Sequence, residues 1–193
     1  MKSICVYCGS SPGRIETYSN AARHLGRVLA ERGIKLVYGG ASVGIMGVLA
    51  DTILEHGGQA VGVIPEALVK KEVAHHHLSE LHVTGSMHER KMLMAELADG
   101  FIALPGGIGT LEEIFEIWTW AQLGFHKKPF GMLNIDGYYD SLIAFLDHTV
   151  AERFVNQPQR SMLMVETDSG ILLERLSNYV APNVEKWIGH EET

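Results

Sequence analysis

Cysteine is scarce, positive charge is in deficit and long apolar runs are missing, and each shortage excludes a class of protein. The 193 residues hold two cysteines, Cys5 and Cys8, and 16 Lys and Arg against 23 Asp and Glu. Two cysteines cannot build the disulfide framework of a small secreted domain, and a structural zinc would need two more ligands. Their C-V-Y-C spacing puts them on opposite faces of a strand, not at a helix start. Both are therefore read as buried thiols in a reducing compartment. A formal net charge of −7 does not suit a nucleic-acid partner, because binding a phosphate backbone requires a basic surface. Lys70-Lys71 and Lys127-Lys128 are isolated pairs expected to face solvent. No run of 18 apolar residues could span a bilayer, so no membrane partner is expected. The N-terminus enters a strand pattern directly, which predicts no signal peptide and a cytoplasmic location.

What is present is globular. Apolar residues make up 46% and charged residues 20%, enough to bury a sizeable core in one domain over 1–193. The 21 glycines are clustered, which points to tight loops near a ligand rather than to general flexibility. Short apolar stretches at 2–7, 34–38, 60–64, 81–84, 100–104, 130–135 and 162–166 read as strands. Between them lie helical patterns, such as Ile15, Tyr18, Ala22, Leu25, Val28 and Leu29 ahead of Gly33. The stretch at 66–80 is irregular, and His75-His76-His77 within it reads as solvated loop. Strands alternating with helices predict an α/β fold, a Rossmann-like doubly wound parallel sheet with helices on both faces. Ligands of such sheets bind beyond the carboxyl ends of the strands, and the Gly-rich loops all follow a strand and precede a helix.

Three loops could carry chemistry. The run Gly39 to Gly47 has the form G-x-x-x-G-x-x-G through Gly40, Gly44 and Gly47. It lacks both the dinucleotide fingerprint and the G-K-[ST] of a nucleoside triphosphatase, and the preceding strand ends at Tyr38 without a ribose-binding carboxylate. A phosphate could sit at the helix that follows, although the glycines could equally serve tight packing. The run Pro105-Gly106-Gly107-Ile108-Gly109-Thr110 again joins a strand to a helix. Thr110 can donate to a phosphate, or it can cap the helix with Glu113 completing a capping box. In Gly85-Ser86-Met87-His88-Glu89-Arg90-Lys91, Ser86 and Glu89 suggest another capping box. Arg90 and Lys91 fall where cations oppose the helix dipole, so an anion at the rim or a surface salt bridge must account for them.

The combination M-H-x-R-K (Met87, His88, Arg90, Lys91) with P-G-G-x-G-T-x-x-E (Pro105 to Glu113) resembles the LOG ("Lonely Guy") family of cytokinin riboside 5'-monophosphate phosphoribohydrolases. The Cys8-Gly9-Ser10-Ser11 and Tyr38-Gly39-Gly40 loops fit as well, and the likeness runs from about residue 2 to about 180. Members have often carried a lysine decarboxylase label. No lysine here stands in a matching pyridoxal-phosphate setting. The resemblance implies hydrolysis of an adenine or N6-prenylated adenine nucleoside 5'-monophosphate to base and ribose 5-phosphate. It implies Arg90 and Glu113 as catalytic residues. Substrate binding would fall to Gly40, Gly44, Gly47, Met87, Lys91, Gly106, Gly107, Ile108, Gly109 and Thr110. No metal or cofactor is implied, and a homodimer is. Ala41, Ile45 and Ile108 stand where Gly, Leu and Tyr are frequent, which bears on substrate preference more than on activity.

For that reaction, Glu113 would orient water or ribose hydroxyls and stabilise an oxocarbenium-like sugar. Arg90 would hold Glu113 and the phosphate end, since a guanidinium does not act as an acid. Asp99 is a candidate to protonate the base. The alternatives are a general AMP nucleosidase and a non-catalytic nucleotide- or molybdenum-cofactor-binding protein of the same fold.

Overall fold

The computed structural model describes residues 1–69 and 74–182. Lys70-Lys71 and the chain after Pro182, expected to pack loosely, lie outside the described residues. Among the described residues seven strands form one sheet: β1 (Ser3–Tyr7), β2 (Lys35–Tyr38), β3 (Ala60–Pro65), β4 (Glu80–Thr84), β5 (Phe101–Ala103), β6 (Phe130–Leu133) and β7 (Leu163–Glu166). Their order is β4-β3-β2-β1-β5-β6-β7 and every pairing is parallel. The doubly wound Rossmann-like sheet is thus realised. Winding reverses between β1 and β5, the switch point at which such sheets leave a crevice.

The helices are α1 (Glu16–Glu31), α2 (Gly44–Glu55), α3 (Glu66–Val69), α4 (Met87–Leu97), α5 (Ile108–Gln122), α6 (Asp140–Ala151), α7 (Gln157–Arg160) and α8 (Ser169–Ser177). Strand residues alternate between two cores. Ile4, Val6, Leu36 and Tyr38 face Leu25 and Leu29 of α1, Leu49 and Ile53 of α2 and Leu172 of α8. Cys5, Tyr7, Val37 and Phe101 face Met94 of α4, Ile114 and Trp118 of α5 and Leu146 of α6. Cys8 lies in the first core and Cys5 in the second, and both thiols are free. Burial pushes both thiol pKa values far up, so neither is a ready nucleophile.

Several local expectations differ from the structure. The irregular stretch after β3 begins with the short helix α3, and α7 occupies a segment without a periodic pattern. After β6 the chain makes a tight turn over Ile135–Gly137 before α6 begins at Asp140. His75 is buried at 5% exposure rather than solvated. Its ring bonds Asp51 at 2.9 Å, and its backbone N–H donates to the Gly40 carbonyl at 2.9 Å. Only His76 and His77 are exposed. Trp118 is buried with its indole N–H donating to the Gln159 carbonyl, whereas Trp120 is half-buried beside an apolar groove.

Candidate active site

The loops after β1, β2 and β5 meet over the switch point. The Gly9 N–H donates to the Pro105 carbonyl at 3.2 Å, and the Ile45 N–H to the Gly9 carbonyl at 3.0 Å. Glycine permits this crossing. Gly44 has φ +60°, and a Cβ there would lie 2.3 Å from the Ser10 carbonyl carbon. Gly47 and Gly106 are held by space: added Cβ atoms would come within 2.2 Å of the Ser42 oxygen and 2.1 Å of Thr110 Oγ1. Gly40 carries φ +75° beside Ile64. At these four positions glycine serves close packing of the loops against one another, against β3 and at the start of α2. Gly107 and Gly109 are different, because a Cβ at either would meet nothing within 4 Å. No contact within the fold demands glycine there, which leaves room for a ligand.

Gly107 is the N-cap of α5. The first-turn N–H groups of Ile108, Gly109 and Thr110 have no carbonyl behind them and present partial positive charge. Ile108 is 82% exposed and Thr110 is buried. Because Gly107 caps the helix, Thr110 sits inside the first turn and the Thr110–Glu113 capping box does not form. The Glu113 carboxylate is thereby available for another role. At the start of α4, Ser86 accepts from the Glu89 N–H at 3.2 Å, while the Glu89 carboxylate accepts from Gly85 at 2.9 Å. That box is half formed, its second arm moved back by one residue.

Glu113 meets Arg90 across the gap between α5 and α4. Arg90 Nη1 donates to Glu113 Oε1 at 2.5 Å, and Arg90 Nε donates to the Val63 carbonyl on β3 at 3.1 Å. The side chains are only 6% and 8% exposed. Arg90 needs Gly39 beneath it, since a Cβ there would stand 2.5 Å from Nη2. Burial raises the Glu113 carboxyl above the ordinary glutamate range, against the opposing pull of Arg90. Among the described residues, Oε2 of Glu113 and Nη2 of Arg90 have no hydrogen-bond partner.

The pair opens on a cavity of about 570 Å³. Of the residues singled out from sequence, Met87, Arg90, Gly107, Ile108, Gly109, Thr110 and Glu113 line it. Gly40, Gly44, Gly47 and Gly106 stand behind it as loop supports. Lys91 does not line it. Its ammonium bonds Glu112 at 2.5 Å and Glu116 at 2.9 Å, the salt-bridge alternative. Burial would lower the lysine pKa, but these two carboxylates outweigh it and hold the pKa above its ordinary value. Asp99 is at the amino ends of the central strands β1 and β5, the end of the sheet opposite this rim, where it accepts from the N–H groups of Lys2 and Ser3. Those bonds hold its carboxyl below the usual range, so it is no acid for a base bound at this rim. Cys8, Ser10, Val43, Met46, Ile64, Leu68 and Glu112 also line the cavity. Sequence reasoning did not single these out, although Cys8 and Ser10 belong to a recognised loop. Leu68 lies in the irregular stretch and gave no signal. Among the described residues no helix is long and apolar enough to cross a membrane, and no three His, Cys, Asp or Glu gather to hold a metal.

A family described as "Possible lysine decarboxylase" matches residues 46–176. A probable cytokinin riboside 5'-monophosphate phosphoribohydrolase of Oryza sativa subsp. japonica is 51% identical over 181 residues, covering 94% of this chain and 74% of the relative. The cytokinin riboside 5'-monophosphate phosphoribohydrolase of Rhodococcoides fascians is 51% identical over 168 residues, covering 86% and 85%. Among solved structures, the molybdenum cofactor carrier protein of Chlamydomonas reinhardtii has a TM-score of 0.69 at 23% identity, covering 92% of this chain and 99% of that one. At that identity the likeness shows a common fold.

Proposed function

The chain belongs to the LOG family of cytokinin riboside 5'-monophosphate phosphoribohydrolases, and from that membership we propose that it hydrolyses the N-glycosidic bond of an adenine or N6-modified adenine nucleoside 5'-monophosphate, activating cytokinin nucleotides. The observation that carries this is the buried Arg90–Glu113 pair at the wall of a cavity that also contains the open N-terminus of α5.

The chemistry follows from those groups. The 5'-phosphate lies against the N–H groups of Gly107 to Thr110, where the helix dipole and the space beside Gly107 and Gly109 favour an anion. As the C1'–N bond breaks, its electron pair leaves with the base and positive charge builds on the ribose. Oε2 of Glu113 faces that charge or aligns the attacking water. Water adds its hydroxyl to C1', and its remaining proton ends on the base. Arg90 fixes the other carboxylate oxygen, so the reactive one is held in place before the substrate enters. Val43, Met46, Ile64, Leu68 and Met87 supply an apolar wall, which supports a base bearing an apolar N6 substituent over bare adenine.

A lysine decarboxylase reading has no support in this cavity, because no lysine lines it among the described residues. A homodimer is part of the proposal. Its support is a groove of about 460 Å³ beside α4, lined by Met92, Phe125 and Trp120 among others. The free thiols fit a cytoplasmic setting.

Incubating the purified protein with AMP and with N6-isopentenyl-AMP, and following free base and ribose 5-phosphate, tests the assignment. Both products are expected in equal amounts, with the prenylated nucleotide the faster substrate. Binding of either nucleotide without any product would instead favour a carrier.

A further inference from the structure

The chemistry above leaves Tyr138 without a role, although it touches the loop that opens α5. Tyr138 and Tyr139 are adjacent, and each donates its hydroxyl to a carbonyl of that loop. Tyr139 reaches Leu104 at 2.7 Å and Tyr138 reaches Gly106 at 2.6 Å. Their settings differ. Tyr139 is buried and braced, its N–H donating to the Asn134 side chain at 2.8 Å. Tyr138 is 43% exposed and stands edge-on to Tyr18 with ring centroids 5.5 Å apart. It lines a second cavity of about 320 Å³, which shares Gly9, Ser10 and Gly107 with the catalytic cavity.

The carbonyl held by Tyr138 is one half of the Gly106–Gly107 peptide. That peptide is trans, so its C=O and N–H point in opposite directions. A hydroxyl that keeps the oxygen on the Tyr138 side turns the Gly107 N–H away from it, at a residue that walls both cavities. This N–H has no hydrogen-bond partner among the described residues. A peptide between two glycines can turn over at little steric cost. A turned peptide would aim an oxygen, not a hydrogen, at an incoming anion.

We propose that Tyr138 is a positioning residue whose hydroxyl locks the Gly106–Gly107 peptide so that the Gly107 N–H is presented to the 5'-phosphate of the substrate. The inference rests on the hydrolase reading of the site.

Tyr138→Phe removes the hydroxyl alone and keeps the ring against Tyr18. KM and kcat with N6-isopentenyl-AMP, the Kd of ribose 5-phosphate by calorimetry, and the melting temperature are compared with wild type. KM and Kd are expected to rise about fivefold, the size of one hydrogen bond, with kcat within about twofold. The melting temperature should stay within about 3 °C. Unchanged KM and Kd overturn the proposal while leaving hydrolysis intact, and a lowered melting temperature with unchanged constants overturns it equally by making Tyr138 a structural brace. If wild type binds ribose 5-phosphate but cleaves no nucleotide, the hydrolase reading falls, and the Kd ratio still decides for or against Tyr138.

Discussion

Arg90 and Lys91 follow one another on α4, and each reaches a glutamate of α5 at 2.5 Å. By distance the two pairs are the same. By burial they are not: the side chains of Arg90 and Glu113 are 6% and 8% exposed, those of Lys91 and Glu112 are 11% and 50%. Successive helix positions point about 100° apart, so Arg90 and Glu113 both turn into the cavity wall, whereas Lys91 turns away from it and reaches Glu112 at the rim. Removing one partner of a buried pair strands a charge and costs about 3–5 kcal/mol. A pair with one partner open to solvent, as Glu112 is, is worth nearer the roughly 0–1 kcal/mol of a surface pair. Two contacts that a list of distances would rank together thus separate into a reactive pair and a clamp between helices.

The largest expected effect is at Glu113. Glu113→Gln keeps shape and an acceptor for Arg90 but removes the charge that faces the ribose. Product release from N6-isopentenyl-AMP should fall by about 10³-fold, in the range for groups acting only in the transition state. A loss of less than about tenfold would break the distinction between the two pairs.

Next in size is the pH dependence. Burial, resisted by Arg90, holds the Glu113 carboxyl above the ordinary glutamate range. The active form is the carboxylate, so kcat/KM should decline as pH falls through that raised value, sooner than an exposed glutamate would require. Stability runs the other way. With the folded-state pKa above the unfolded one, this group's contribution is full below the unfolded value and is lost as pH rises through the folded value. A pH profile of kcat/KM beside a series of melting temperatures checks both signs. An acid limb at an ordinary glutamate pKa would count against Glu113 as the titrating group.

Lys91→Gln should have the smallest effect. The melting temperature should fall by about 2 °C and kcat should stay within about threefold, as befits a clamp whose Glu112 partner is half exposed. Glu112 raises the Glu113 pKa and Lys91 lowers it, so the acid limb should also move to higher pH. A collapse of activity comparable to that of Glu113→Gln would show Lys91 binding substrate directly, as its place beside Arg90 in the family motif implies.

Much of the fold was legible in single stretches. A strand buried on both faces must be largely apolar, and β1, β2 and β3 are, apart from the opening residues Ser3 and Lys35. A helix lying on the sheet must repeat its apolar groups every three to four residues, as α1 does. Capping was less legible. Thr110 and Glu113 have the right spacing for a box, but a box forms only where the helix starts at the threonine, and here Gly107 takes the cap. His75 misleads for a related reason. Histidine triplets are ordinarily solvated, but this one is drawn inward by Asp51 and the Gly40 carbonyl, partners 24 and 35 positions away. Asp99 looked available until its place at the amino ends of the central strands, away from the rim, was known.

The sequence by itself determined the alternation of strands and helices, the loops at their junctions and the residue types needed at the rim. These depend on periodicity, turn chemistry and motif, all written within a few neighbouring positions. Only the tertiary structure decided that Arg90 meets Glu113 while Lys91 meets Glu112 and Glu116, that Asp99 is remote, and that Tyr138 holds the Gly106 carbonyl. Those outcomes depend on the strand order, which sets β5 beside β1 and carries α4 and α5 to the same face of the sheet. Strand order is settled by long-range packing, and no local stretch of chain encodes it.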